Sequence, residues 1–269
     1  MQVADRTIIV TGAGSGMGRA VAVDAIRRGA RVAAVDVNPN TLVETASLAS
    51  DRDRCSTHVV DITDREAVAA LPAAVIERFG AIDALIHCAG IIQPFVRFKD
   101  LDDATVERVF AVNWWGTVYL DRAVLPILLA RPEGHIVNVS SMGGFLPVPG
   151  QTIYGASKAA VKLFTEGLHS ECAGTNVHVT VVLPGAVATN ITANSGVDIP
   201  VSPEMAEKAG RRTLSAERAA TLILDGMEKN AFRVLVGNDA KLMDRLYRLH
   251  PRRAAGFIQK QMRDLLPDA

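Results

Sequence analysis

The chain has 269 residues, with 29 lysines and arginines against 29 aspartates and glutamates and a hydrophobic content of 49%. A formal net charge of zero offers no attraction to a polyanion, so nucleic-acid binding is excluded as a default role, and the apolar content is enough for one large core. Cys55, Cys88 and Cys172 form no C-x-x-C pair, which leaves neither a disulfide framework nor a thiolate metal site. No run approaches the roughly 18 apolar residues that span a bilayer. The expectation is a soluble, untargeted, cytoplasmic protein folded as a single domain over 1–269.

Short β-branched runs at 7–10, 31–35, 56–60, 84–88, 135–139, 178–183 and 233–236 alternate with longer amphipathic stretches. The alternation predicts βαβ units, and strands that are apolar almost throughout predict a parallel sheet covered by helices on both faces. The first strand runs into Thr11-Gly12-Ala13-Gly14-Ser15-Gly16-Met17-Gly18, ahead of a helix expected to begin near Gly18 and to stop at Gly29. Without β-carbons at Gly12, Gly16 and Gly18, a diphosphate can approach the free N–H groups and positive end of that helix. The bland alternative is a glycine-rich turn.

Asp36 closes the second strand eighteen residues beyond Gly18. At a separation of about 20 residues an acidic side chain reaches the adenosine ribose, and a carboxylate there repels a 2′-phosphate. Val37 and Asn38 bring no cation, so NAD rather than NADP is the expected cofactor; the competing role for Asp36 is a strand-end cap. Asp61 falls either at the adenine edge or in a turn before Thr63. Thr63-Asp64-Arg65-Glu66 has capping-box spacing, which predicts a helix starting there, running towards Phe79 and stopping at Gly80.

Asn113 falls mid-helix, where asparagine is a mediocre helix former. It reads either as the holder of a water linking Lys158 to solvent or as a helix kink. Trp114 and Trp115 are expected to place one ring in the core and one against a partner subunit. Ser141 ends the fifth strand, on the carboxyl rim where open α/β sheets bind ligands, while the hydroxyl of Ser140 is expected to return to backbone. Tyr154 and Lys158 share a helical face at i and i+4. An ammonium about 4 Å from a phenol, at an effective dielectric of about 20, is worth on the order of 4 kcal/mol, or roughly three pKa units before desolvation opposes it. Lys158 is therefore expected to bring Tyr154 towards working pH. The six histidines show no metal-ligand spacing, so no metal is expected.

These residues, together with Ala89-Gly90 and Pro184-Gly185 with Thr189, resemble the short-chain dehydrogenase/reductase superfamily in its T-G-x-x-x-G-x-G branch, over nearly the whole chain up to about Val236. The resemblance implies an α/β fold, a Rossmann-like doubly wound seven-stranded parallel sheet flanked by helices, here with a C-terminal helical extension. It implies a catalytic tetrad of Asn113, Ser141, Tyr154 and Lys158 and hydride exchange between nicotinamide and a carbinol carbon. Tyr154 would exchange the proton, Ser141 would bind the substrate oxygen, Lys158 would hold the nicotinamide ribose, and Asn113 would position a relay water. The implied cofactor residues are Gly12, Ser15, Gly16, Met17, Gly18, Asp36, Val37, Asp61, Ile62, Cys88, Ala89, Gly90, Tyr154, Lys158, Pro184, Gly185, Val187 and Thr189, the backbone of Val187 and Thr189 meeting the carboxamide. A homodimer or homotetramer is implied as well. One departure is Cys88-Ala89-Gly90 where the family usually has Asn-Ala-Gly, so Cys88 is expected to pack as a small hydrophobe.

Residues 91–95 and 142–153 are mainly apolar. A substrate pocket of Ser141, Gln93, Phe95, Met142, Phe145, Gln151 and Tyr154 suits a hydrophobic secondary alcohol or ketone, of steroid or retinoid type. Residues 190–214 read as a loop or lid. Residues 240–263 read as a basic amphipathic helix with Lys241, Arg245, Arg248, Arg252, Arg253, Lys260 and Arg263; the preferred role is a cover over the cleft or a subunit boundary, the alternative a membrane-surface contact. Two other functions fit less well: an oxoacyl-carrier-protein reductase, which usually runs on NADPH, and a non-catalytic NAD-binding sensor or scaffold.

Overall fold

The computed structural model describes residues 1–197 and 213–262. Its strands are β1 (Thr7–Thr11), β2 (Arg31–Asp36), β3 (Cys55–Val59), β4 (Ala84–His87), β5 (Gly134–Val139), β6 (Val177–Pro184) and β7 (Arg233–Val236). They form one sheet in the order β3-β2-β1-β4-β5-β6-β7, every pair parallel. The apolar runs are explained by this arrangement, because successive side chains leave a strand on opposite faces and both faces are covered. Ile8 and Val10 join one buried cluster with α1 (Gly16–Arg27) and α8 (Ala216–Glu228), while Ile9 joins another with α3 (Arg65–Phe79), α5 (Gly116–Leu129) and α6 (Thr152–Glu171). The remaining helices are α2 (Pro39–Leu48), α4 (Asp103–Phe110), α7 (Ile191–Ser195), α9 (Asn238–Leu249) and α10 (Pro251–Gln261). The strand order reverses between β1 and β4, so the crevice beyond their carboxyl ends lies at a switch point, where such sheets bind ligands.

Several helix ends differ from expectation for local reasons. Asp64, not Thr63, caps α3, its carboxylate accepting from the N–H groups of Glu66 and Ala67, while the Thr63 hydroxyl turns back to Asp61. Gly29 and Gly80 take positive φ of 93° and 80°, as expected of helix stops. The single C-terminal helix of the sequence reading is two, α9 and α10, broken at His250 because Pro251 has no N–H to continue the ladder and opens the second helix instead. Of the expected lid, α7 is described and 198–212 lie outside the described residues, as does Arg263. No helix among the described residues is long and apolar enough to cross a membrane, and no group of three or more His, Cys, Asp or Glu residues among them is arranged to hold a metal ion.

Candidate active site

The turn after β1 is built by backbone that side chains would obstruct. Gly12 and Gly16 have φ of 66° and 52°, in the left-handed region. A β-carbon on Gly12 would sit 2.9 Å from the Ala89 backbone, and one on Gly18 would collide with the Gly12 carbonyl. The turn therefore packs against the Cys88-Ala89-Gly90 segment after β4 and leaves the amino end of α1 open. A cavity of about 550 Å³ opens there, lined by Gly12, Ser15, Gly16, Met17, Gly18, Asp36, Val37, Asp61, Ile62, Cys88, Ala89, Gly90 and Thr189. The absent side chains and free helix end fit a dinucleotide diphosphate.

Asp36 makes the structural contacts of a strand-end cap and also lines the cavity. Its carboxylate accepts from the N–H of Gly14 at 2.9 Å and of Asn38 at 3.1 Å, fixing the glycine turn to the end of β2. Arg19 of α1 is already engaged, with Glu44 at 2.6 Å, the Thr45 hydroxyl at 3.1 Å and the Gly14 carbonyl. Thr189 lies over Gly16, and Asn194 of α7 donates to the Ser15 hydroxyl at 2.7 Å, so α7 closes one side of the cradle. Pro184 ends β6, and the next N–H groups are held by β7 and α9, Gly185 donating to the Val236 carbonyl and Ala186 to Asp239. Val187 bridges Leu214. Pro184, Gly185 and Val187 are thus placed by the sheet edge and do not line the cavity.

The sequence missed Arg108, Ala111 and Val112, which also line the cavity. They stand at i, i+3 and i+4 of one another on the helix that leads to Asn113, and that shared face is the signal that could have found them. Asn113 itself lies in one turn of π-helix, Ala111–Trp115, between α4 and α5. Its buried amide clamps Ile91, accepting from the Ile91 N–H and donating to the Ile91 carbonyl, both at 2.9 Å, and donates to the Ser157 hydroxyl at 2.9 Å. Both amide hydrogens are engaged, so the side chain acts as a fastening between the β4 loop and α6 rather than as the donor to a relay water. Trp114 packs edge-on against Phe164 and Trp115 stacks on Tyr119 with its ring half exposed.

Ser141, Tyr154 and Lys158 come together at the carboxyl rim of β5. The Ser141 hydroxyl accepts from the Gly143 N–H at 3.0 Å, and it stands beside the Tyr154 ring, a β-carbon on Gly143 lying 3.5 Å from the one and 3.4 Å from the other. Ser140 donates to the Lys158 carbonyl at 2.6 Å, the structural role expected of it. The Lys158 ammonium donates to the Val139 carbonyl at 3.0 Å, and a β-carbon on Gly90 would lie 3.0 Å from it. Burial brings this ammonium down to about 8, with Cys88 opposing. Burial also pushes the Tyr154 phenol up, with the Ser141 hydroxyl opposing. The expected depression of Tyr154 by Lys158 is therefore not what the geometry delivers: the ammonium is held towards Val139 and Cys88, and desolvation governs the phenol. Cys88 packs against the core as expected, its thiol pushed up to about 12 by burial and so protonated at neutral pH. Beside it, His87 bonds the Thr11 hydroxyl at 2.7 Å and is brought down to about 3 by burial and by the charge of Lys158.

Two residues assigned to the substrate pocket face inward. The buried Gln93 side chain accepts from the N–H groups of Ile153 at 2.7 Å and Tyr154 at 3.0 Å, capping α6 where Gln151 supplies no cap of its own. Gln151, also buried, donates to the Gln93 carbonyl at 2.7 Å. Gln93 thereby holds the backbone of Tyr154. Gln93→Leu is expected to lower kcat roughly ten- to a hundredfold, since two buried N–H groups lose their acceptor at about 1–3 kcal/mol, while Gln93→Glu retains an acceptor at the helix's positive end and most of the rate. Steady-state kinetics alongside fluorescence measurement of dinucleotide affinity check this: a Leu variant with undiminished kcat removes the role. Met142 and Phe145 pack on a cluster formed by Leu146 with Met243, Ala254 and Ile258, and Phe145 meets Tyr247 at 6.1 Å. Phe95 is partly buried on the loop after β4.

The chain is similar to known proteins along most of its length. The family model described as short chain dehydrogenase matches residues 6–199. An oxidoreductase named SadH from Mycobacterium tuberculosis is 38% identical over 254 residues, covering 91% of this chain and 90% of that protein. A short-chain dehydrogenase/reductase from Burkholderia phymatum, solved in complex with NAD, superposes with a TM-score of 0.81 at 26% identity, covering 93% of this chain and 96% of that one. A short chain dehydrogenase from Burkholderia cenocepacia, solved in complex with NADP, gives 0.79 at 26% identity, covering 96% and 99%. Levodione reductase gives 0.79 at 28% identity, covering 88% and 98%. With its glycine cradle, switch-point crevice and Ser141–Tyr154–Lys158 rim, the chain belongs to the short-chain dehydrogenase/reductase family and is an oxidoreductase built to take a nicotinamide cofactor.

Proposed function

We propose that the protein is an NAD-preferring alcohol dehydrogenase or ketone reductase whose substrate is a lipophilic secondary alcohol or its ketone. The observation that supports the reading is the Tyr154 ring and the Ser141 hydroxyl side by side at the carboxyl rim of β5, next to the apolar cluster of Leu146, Met142, Phe145 and the C-terminal helices. The nicotinamide, when bound, supplies the hydride acceptor or donor. Gly12, Gly16 and Gly18 admit the diphosphate, Asp36 meets the adenosine ribose, and Lys158 reaches the nicotinamide ribose. Ser141 orients the substrate oxygen by a hydrogen bond, and Tyr154 takes the hydroxyl proton in oxidation or returns it in reduction. An apolar wall excludes water from that proton transfer and selects substrates by burial of hydrocarbon surface.

The NAD preference is supported by two features of the ribose pocket: a carboxylate at Asp36, and an arginine, Arg19, already satisfied by Glu44 and Thr45. A 2′-phosphate would meet the first without relief from the second. The test is a screen of lipophilic secondary alcohols, steroids included, beside polyols, each with NAD and with NADP, followed at the absorbance of the reduced nicotinamide. Turnover of lipophilic substrates with NAD is the expected result; exclusive oxidation of polyols, or a preference for NADP, overturns it. Asp36→Ala is expected to narrow the NAD over NADP ratio of kcat/KM by at least about tenfold, the value of roughly one lost repulsive charge contact.

A further inference from the structure

We infer that the C-terminal helix pair, α9 and α10, is an interfacial docking surface for a bilayer carrying anionic lipid. The two helices bury their inner residues, Met243 from α9 and Ala254 and Ile258 from α10, in one cluster over Leu146 of the loop between Ser141 and Tyr154. Their opposite faces leave large apolar side chains in solvent: Leu249 is 73% exposed, Leu242 63% and Phe257 47%. Cations surround them. Lys241, Arg245, Arg252, Arg253 and Lys260 are all exposed and have no ion-pair or hydrogen-bond partner among the described residues. The only acids on these helices, Asp239 and Asp244, are turned inward, the first to the Ala186 N–H and the second, buried, to Arg233 and Arg248.

Charge decides the occupant. The whole chain has a net charge of zero, yet the outward face of this pair carries cations with no compensating carboxylate among the described residues. A second copy docked symmetrically would set those cations against their own images, which disfavours self-association through this face. Exposed leucine and phenylalanine flanked by arginine and lysine match the acyl boundary and phosphate layer of a membrane surface, where long cationic side chains reach headgroups while apolar ones enter the hydrocarbon edge. The seat lies on the outer side of the same cluster that walls the substrate loop, so a docked protein draws lipophilic substrate from the bilayer. The docking itself rests on the charge and exposure of this face, independently of the substrate reading.

The test uses the full chain and needs no turnover. Vesicles of phosphatidylcholine alone and of phosphatidylcholine mixed with phosphatidylglycerol are sedimented with the protein. Binding is expected to be at least about tenfold stronger to the anionic vesicles, at about 1 kcal/mol per surface cation, and to fall in molar salt as the Debye length shrinks to about 3 Å. Arg252→Glu with Arg253→Glu should abolish it, and Leu249→Glu with Phe257→Glu should weaken it at least about tenfold. Melting temperature and oxidoreductase activity on a water-soluble alcohol are read on the same variants, because these residues lie outside the site and a folded protein keeps both. The inference is overturned by absence of binding to either vesicle, by equal binding to both, by variants that bind like the parent, or by preferential binding of polyglutamate with none to vesicles. Loss of the lipophilic-substrate reading alone would leave the sedimentation result standing, so the two fail separately.

Discussion

Tyr154→Phe is expected to lower kcat by at least about a thousandfold, within the range attributed to a positioned acid–base group, while dinucleotide affinity changes by less than about twofold. The ring is retained, so the change removes the phenolic hydroxyl alone and leaves the packing around it in place. A loss confined to kcat thus separates proton transfer from cofactor binding. The pH dependence follows from the same environment. Burial raises the Tyr154 phenol above its ordinary value and lowers the Lys158 ammonium to about 8, so both groups change charge on the alkaline side of neutrality. Oxidation of an alcohol needs the deprotonated base, and its rate is therefore expected to climb from pH 7 upward, as an apparent titration that belongs to the pair and not to either residue. Stopped-flow measurement with a fixed lipophilic alcohol checks both expectations; retention of turnover by the Phe variant would move the acid–base role to another group and would separate this chain from the Ser141–Tyr154–Lys158 chemistry.

What the sequence made legible is what short-range periodicity encodes. Seven β-branched runs became seven parallel strands, with bounds differing by a residue or so; the inner strands are buried on both faces with no polar alternation to blur the pattern, while the edge strands β3 and β7 are only partly covered. The glycine cradle was legible for a similar reason: collision of any β-carbon with Gly12 or Ala89 backbone leaves no choice of residue. Contacts between distant segments were hidden. Gln93 reaches Ile153 and Tyr154 across about sixty residues, and nothing in its neighbourhood of isoleucine, proline and phenylalanine announces a helix cap. The π-turn at Asn113 carries the amide that grips Ile91, again a long-range bond, and the sequence showed only that asparagine sat uneasily there. The phenol's environment was misjudged because a helical spacing of four places two side chains on one face without saying which way the longer one turns; Lys158 bends to Val139.

The Thr63 cap and the unbroken C-terminal helix failed more simply. In the first, two adjacent residues both accept N–H groups well, and the carboxylate of Asp64 won over the hydroxyl by reaching two donors at once. In the second, the basic and apolar periodicity runs through Pro251 without a change of phase, and only the missing N–H divides it.

Asp121→Asn is expected to stabilise the protein at neutral pH and to leave it nearly unchanged near pH 4. Asp121 lies on α5, buried, and accepts from the Asn138 amide at 2.7 Å, while its other oxygen has no partner among the described residues. Asn138 also reaches the Thr165 hydroxyl at 3.2 Å, so β5, α5 and α6 meet at this carboxyl beneath the catalytic rim. Burial pushes Asp121 up to about 7. A carboxyl that holds its proton more tightly when folded makes stability fall as pH rises from the unfolded value near 4 to the folded value near 7, after which the penalty is constant. Three units correspond to roughly 4 kcal/mol at most, an amount comparable with the whole stability of many domains. The buried histidines work in the opposite sense: His87 and His135 are both brought down to about 3, so their contribution is complete above the ordinary histidine value and is lost as pH falls towards 3. With two histidine slopes against one carboxyl slope, the parent's stability is expected to rise between pH 4 and the ordinary histidine value, whereas the Asn variant, with the carboxyl slope removed, is expected to rise about twice as steeply over that interval. An amide keeps an oxygen for Asn138 and carries no charge to bury, so the gain appears where the carboxyl would have ionised. Thermal unfolding of both proteins from pH 4 to pH 8 decides the matter: a variant that melts lower than the parent at pH 7.5 would show that the ionised carboxylate is held by a compensating group, and the burial argument would fail.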